Sequence, residues 1–210
     1  MERRQNRMAS PEQLKVLDLS KEERQFIYQW FGSLLSSELT DEQIAHYQAG
    51  DFDSLFQFLA ELGFHRQIDE MKTALRPQPH LRLELAADFA HCFLLEGALS
   101  AIPYLSAYLE GKALENALKE VDDWMEHYRL TVNRSHYNEP SDHISILISI
   151  LIKLIESRSY QDQQQFAQNV LLSWLPQFAE KTRKPQLKTR FYPVLVELLV
   201  DFLKKDFQTG

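Results

Sequence analysis

The stretch NEPSDHISILISILIKLI, residues 138–155, decides the fold. In its second part, 144–155, nine of twelve positions are Ile or Leu, and Lys153 interrupts the run. Isoleucine at that density, taken alone, reads as a strand, because β-branched residues suit a pleated surface. Two features argue for a helix. The apolar pattern continues to about residue 157, longer than a typical strand. It also follows a helix-start signal. Asn138 is a good N-cap, and Glu139 and Pro140 fit the first turn, where an acid meets the positive end of the dipole and a missing N–H costs little. The sequence therefore predicts a helix from 138 through 157, apolar almost all round and so central and buried.

Working outward, the same period recurs on both sides. Ser20 and Glu23 form a capping box before FIYQWFGSLL, which predicts a first helix over 21–37. Thr40 and Gln43 cap a short second helix that ends near Gly50. Asp53 opens a third, stopped by Gly63, and RQIDEMKTAL is a fourth. Pro77 and Pro79 mark a loop. HLRLELAADFAHCFLLEG reads as a fifth helix ending at Gly97, with Leu81, Leu85, Phe89 and Cys92/Phe93 on one face. A loop or short helix surrounds Pro103. An amphipathic helix with an acidic solvated face follows over about 112–129. Further helices are expected over 163–181, kinked or cut short by Pro176, and over 188–206. The fold class is all-α, a bundle of roughly nine or ten helices. TVNRSHY, 131–137, is polar and without period, which marks a hinge. The organisation expected is a disordered basic tail (1–19), an N-terminal helical part (20–130), a hinge (131–138) and a C-terminal helical part (139–210).

Composition narrows the partners. Only 6 of 210 residues are glycine, in keeping with a helical chain. The net charge of −7 argues against nucleic acid, which calls for clustered Lys and Arg, and favours a basic partner. The single cysteine, Cys92, rules out an internal disulfide or a cysteine-based zinc site and fits the cytosol. Arg3-Arg4 is not followed by the apolar region of an export signal. No run reaches about 18 apolar residues without a charge, so no membrane-spanning segment is expected.

The polar part of the opening stretch holds Ser141, Asp142 and His143, the residue types of a nucleophilic triad. Neighbouring helical residues point about 100° apart, so these cannot align as nucleophile, base and orienter. A metal would take two ligands from Glu139, Asp142 and His143 on the first turn, but no HExxH and no second matching motif supplies the rest. Asp88, His91 and Cys92 invite the same idea and lack partners in the same way. What remains is capping, with spare carboxylates beside a hinge able to meet a basic peptide.

Glu139-Pro140-Ser141-Asp142-His143 resembles the E-P-x-D-H signature of the TorD/DmsD/NarJ family of redox-enzyme chaperones. RLELAADFAHCFL (82–94), AIPYLSAY (101–108), WLPQF (174–178) and FYPVLVELLVDF (191–202) are similar, in the same order, to segments of the TorD branch. The family's second motif, an aromatic, two spacers and Leu-Phe, has Phe89-x-x-Cys92-Phe93 as its nearest fit, with Cys in place of Leu. The resemblance covers residues from about 20 onward. It implies a cytoplasmic, all-helical chaperone that catalyses no reaction. The chaperone would bind the twin-arginine signal peptide and apo form of a molybdoenzyme, trimethylamine N-oxide reductase. It would aid insertion of the molybdenum cofactor and hold back export. Dimethyl sulfoxide or nitrate reductase is the alternative client.

The binding site implied comprises Asp88, Phe89, Cys92, Phe93, Pro103, Tyr104, Tyr108, Asn138, Glu139, Pro140, Asp142 and His143. In it, Glu139 and Asp142 meet the basic region, and Phe89, Phe93, Pro103, Tyr104 and Tyr108 line an apolar groove. His143 orients Asp142 or holds the hinge closed. No cofactor or metal of its own is expected. Weak GTP binding, associated with the family, is carried as a second reading, although no phosphate-cradling loop is present. The chain is expected as a monomer or as a homodimer swapped about the hinge.

Overall fold

The computed structural model describes residues 17–95, 100–130 and 141–208. The expected basic tail lies almost wholly outside these residues, and so do the hinge 131–138 and Asn138, Glu139 and Pro140. Helix α1, Lys21–Ser36, starts on the capping box read from the sequence: Glu23 N–H donates to Ser20 Oγ (3.1 Å) and Ser20 N–H to Glu23 Oε2 (2.8 Å). Thr40 and Gln43 repeat the device for α2, Asp41–Ala49, which Gly50 closes in the left-handed region at φ 90°. Helix α3, Asp53–Leu59, turns at Gly63 (φ 102°) into α4, His65–Ala74. Then follow α5 (Leu81–Phe89), α6 (Gly111–His127), α7 (Ile144–Ser157), α8 (Tyr160–Phe166), α9 (Leu175–Thr182) and α10 (Phe191–Asp206). Among the described residues there is no strand, and one isolated bridge pairs Tyr104 with His143. The fold is all-α.

Three boundaries differ from the sequence expectation. α7 begins at Ile144, capped by His143 rather than Asn138: the His143 ring nitrogen accepts from Ser145 N–H at 3.3 Å. Asp142 and His143 therefore precede the helix instead of lying in its first turn, and the expected pairing of Glu139 with them lies outside the described residues. α5 continues only as one wide turn to Leu94, closed by Leu95 N–H donating to Ala90 O (3.0 Å), and so stops short of Gly97. The helix expected over 163–181 is two. α8 starts at its Ser159 cap and ends in a wide turn through Leu171, and Pro176 stands in the first turn of α9. Proline there starts a helix instead of kinking one, since the first-turn N–H has no intrahelical acceptor to lose.

The most enclosed element is α10, where no residue from Phe191 to Phe207 is exposed. α7 is exposed only along a strip at Ser149, Lys153, Glu156 and Ser157. α1 packs chiefly on α7. Gln25 donates to Ile152 O (3.4 Å), while a Cβ on Gly32 would stand 3.3 Å from Ile148 Cγ2, so the two helices run antiparallel and approach closely at Gly32. α4 runs antiparallel to α10 under a polar ladder: Gln67 to Asp201 (2.9 Å), Arg66 to Glu197, and Arg190 to Glu70 (3.3 Å). A buried network ties α1, α8 and α10 together. Arg24 Nε donates to both Asp206 oxygens (2.9 and 3.0 Å), its Nη1 to Gln163 Oε1 (2.7 Å), and Tyr28 Oη to Asp206 Oδ2 (2.7 Å). One hydrophobic core thus spans both helical parts expected from the sequence.

Candidate functional site

The site begins with a backbone contact. The strap between α5 and α6 runs past the entry to α7, and the two segments pair. Leu105 N–H donates to Asp142 O (3.1 Å) and Ile144 N–H to Pro103 O (3.0 Å). The Asp142 side chain closes the arrangement by accepting from Ser106 N–H at 2.9 Å. A single 3₁₀ turn, Leu105–Ala107, begins there, and the carboxylate satisfies one of its free N–H groups. Asp142 is 5% exposed. In this structure the carboxylate, which the sequence reading set against the basic region of a peptide, clasps the chain's own strap. His143, also 5% exposed, caps α7 and sets its ring against Tyr104, centroids 5.1 Å apart.

Behind the strap stands an aromatic wall. Phe89 and Phe93 lie one turn apart on α5 and its terminal turn, edge to face at 5.1 Å. Tyr192 of α10 meets both, at 5.3 and 5.6 Å, and Phe178 of α9 meets Phe93 at 5.8 Å. Tyr108 continues the wall to Trp174 (5.3 Å) and Phe178 (5.9 Å). Phe89, Phe93 and Pro103 are buried, and Tyr104 and Tyr108 are half-buried. The aromatic residues expected to line an apolar groove thus pack, in this structure, against side chains of α10 and of α9 and its approach. Tyr192, Phe178 and Trp174 complete the wall and were absent from the expected lining. The signal for two of them was WLPQF, an aromatic pair flanking a proline, which by sequence marks a helix start as readily as a site.

Asp88 also turns inward. At 1% exposure it accepts from Lys188 N–H (2.8 Å) and Thr189 N–H (2.6 Å), pinning the loop that leads into α10. Cys92 is fully buried; burial first, and the Asp88 charge second, push its thiol up to about 12. Its carbonyl accepts from Ala101 N–H (2.7 Å) and Ser100 Oγ (3.2 Å), which anchors the start of the strap. Burial likewise raises the Tyr108 hydroxyl above the ordinary tyrosine range. Among the described residues, the Tyr108 hydroxyl and the Trp174 indole N–H make no hydrogen bond. Unpaired polar groups of this kind carry a cost that native interiors usually avoid.

A sequence model of the family described as nitrate reductase delta subunit matches residues 46–180. The chain belongs to the TorD/NarJ family. The TorD-like relatives extend the match to nearly full length. The protein named chaperone protein TorD in Aggregatibacter aphrophilus is 54% identical, covering 96% of this chain and 97% of that one. Those so named in Actinobacillus pleuropneumoniae serotype 3 and Pasteurella multocida are 50% and 37% identical, over 90% and 92% of this chain and 96% and 100% of their own. The TorD-branch resemblance read from four short segments thus holds along the chain. Among the described residues, no helix is long and apolar enough to cross a membrane.

Proposed function

We propose that this chain is a cytoplasmic chaperone of a molybdoenzyme. Its client is trimethylamine N-oxide reductase. It binds the client's twin-arginine signal peptide and apo form, aids molybdenum-cofactor insertion and holds back export until loading is complete. The observation that carries this reading is similarity over nearly the whole chain to proteins named chaperone protein TorD. The strap geometry is compatible with it. A basic peptide segment arriving at 138–143 competes with Ser106 N–H for the Asp142 carboxylate, and Glu139 adds a second charge. Release of the strap presents Tyr104, Tyr108 and the unpaired Trp174 N–H to peptide backbone, with Phe89 and Phe93 supporting them from behind.

The test is a titration of the labelled reductase signal peptide against the wild-type chain and Asp142→Ala. Tight binding, weakened by salt and by the substitution, is expected. A wild-type chain that ignores the peptide and co-purifies with no twin-arginine protein would overturn the proposal. Co-purification with dimethyl sulfoxide or nitrate reductase instead would assign the alternative client. GTP is proposed only as a weak modulating ligand, checked by calorimetry with and without peptide. Exchange of the C-terminal part between copies across 131–138 is proposed as the route to a dimer.

A further inference from the structure

Phe89 and Phe93 are buried, so a second, already open surface bears on how the apolar part of a bound peptide is held. Between α1 and the α2–α3 pair lies a groove of about 540 Å³, within the ~300–1,000 Å³ range of ligand clefts. Its floor is aromatic. Trp30 Nε1 donates to Tyr47 Oη (2.8 Å), which fixes both rings, and Tyr47 stacks on Phe52 with centroids 4.2 Å apart. Phe26 stands at one wall and is 56% exposed, although Trp30, Leu34, Tyr47 and Phe52 offer apolar surface in the same groove. A large aromatic left in water beside a preformed aromatic floor is the feature expected of a docking surface.

Among the described residues that line the groove, Asp51 is a carboxylate and none is a lysine or arginine. At one end Asp51 holds His46 at 2.6 Å, with Glu42 4.0 Å from the same ring. At the other, Glu22 lies one helical turn before Phe26 on the same face of α1. The groove is thus an apolar trough with carboxylates at both ends. We infer that it holds the apolar segment of a partner peptide whose flanks carry arginine or lysine. A helix-in-groove or extended peptide supplies spaced apolar anchors for the floor, and its flanking cations match the rim. A second copy of the chain fits less well. A two-fold contact through this face sets carboxylate rims against each other, in a chain of net charge −7.

The inference rests on the signal-peptide reading above, and its test separates the two. The labelled twin-arginine peptide of trimethylamine N-oxide reductase is titrated by fluorescence anisotropy against wild type, Phe26→Ser, Asp51→Lys and the remote control Leu83→Ser. Phe26 and Leu83 are both mostly exposed, so these changes leave the core intact, as circular dichroism verifies. Loss of a central aromatic anchor is expected to weaken binding about tenfold or more. Asp51→Lys should weaken it at low salt and much less at high salt, and Leu83→Ser should leave it unchanged. If wild type binds and Phe26→Ser binds equally well, or Leu83→Ser loses as much, the groove assignment fails while the chaperone reading stands. If wild type does not bind, both fail. Should Phe26→Ser instead convert a dimer to a monomer in sedimentation with unchanged peptide affinity, the groove is a contact between copies and the inference is overturned.

Discussion

Single side chains here act mainly on the chain's own backbone and charges. Asp206 is the clearest case. It is 4% exposed and gathers Arg24 and Tyr28. Asp206→Ala leaves the guanidinium buried without its partner, so urea denaturation should show a loss of about 3–5 kcal/mol. Asp142→Ala frees Ser106 N–H at a half-open site and should cost about 1–3 kcal/mol by the same measurement. Cys92 gives a pH signature. Its thiol is raised to about 12 in the folded chain, against about 8.5 unfolded. The folded state therefore holds that proton over an interval where the unfolded state has lost it. The stability it contributes is complete below about pH 8.5 and falls as pH rises toward 12. Cys92→Ala should flatten the alkaline limb of the stability curve, and Cys92 should resist alkylation at pH 8 until the chain is denatured. The sequence marked Asp88, Asp142 and His143 as special but not in which way. A buried carboxylate that caps a distant N–H has the same letter as one that greets a ligand, and the difference lies in strap residues some 36 positions away.

At the scale of the helix, propensity and caps did most of the specifying. Ser20–Glu23 and Thr40–Gln43 placed two N-termini to the residue, because a capping box is a purely local device. The start of α7 was misplaced by five residues. Asn138-Glu139-Pro140 is as good a local start as His143, and the winner is decided by pairing with Pro103–Leu105, which no local signal reveals. Pro176 was likewise visible as a break, but its place inside the first turn of α9 depends on the wide turn before it. The α1–α7 crossing offers a direct check. Gly32→Leu forces bulk into a contact where even a Cβ comes within 3.3 Å of Ile148. Overpacking of that kind should lower stability by about 1–3 kcal/mol, read as a fall in the urea midpoint with the slope unchanged.

For the molecule as a whole, the expected division into two helical parts has to be set beside a core shared by both. α1 and α4 come from the first part, and α7 and α10, their main partners, from the second. An exchange across 131–138 would keep every one of those contacts and merely draw them from two chains. Size-exclusion chromatography over a concentration series should then show a species of twice the monomer mass that grows with concentration and separates slowly on dilution. A single species at the monomer mass throughout removes the idea. The all-α class was legible from glycine scarcity and 3.6-residue periodicity. The closure of the apolar wall was not, since it needs Tyr192 and Phe178 to arrive beside Phe93 from about 100 and 85 positions further along.

The enclosure of α10 also bears on the order in which the chain is made. Each helix it packs against precedes it, so on the ribosome those helices emerge with their apolar faces still waiting for the segment that will cover them. Until residues 191–206 clear the exit tunnel, the nascent chain cannot complete its core and presents α4, α5 and α9 surfaces to any holdase or protease nearby. Translation arrested before Phe191 should therefore yield a protease-sensitive product, and arrest within a tunnel-length linker appended after Gly210, once Asp206 has emerged, a resistant one. A protein that attends to the folding of others is, for the length of its own synthesis, in the same exposed condition.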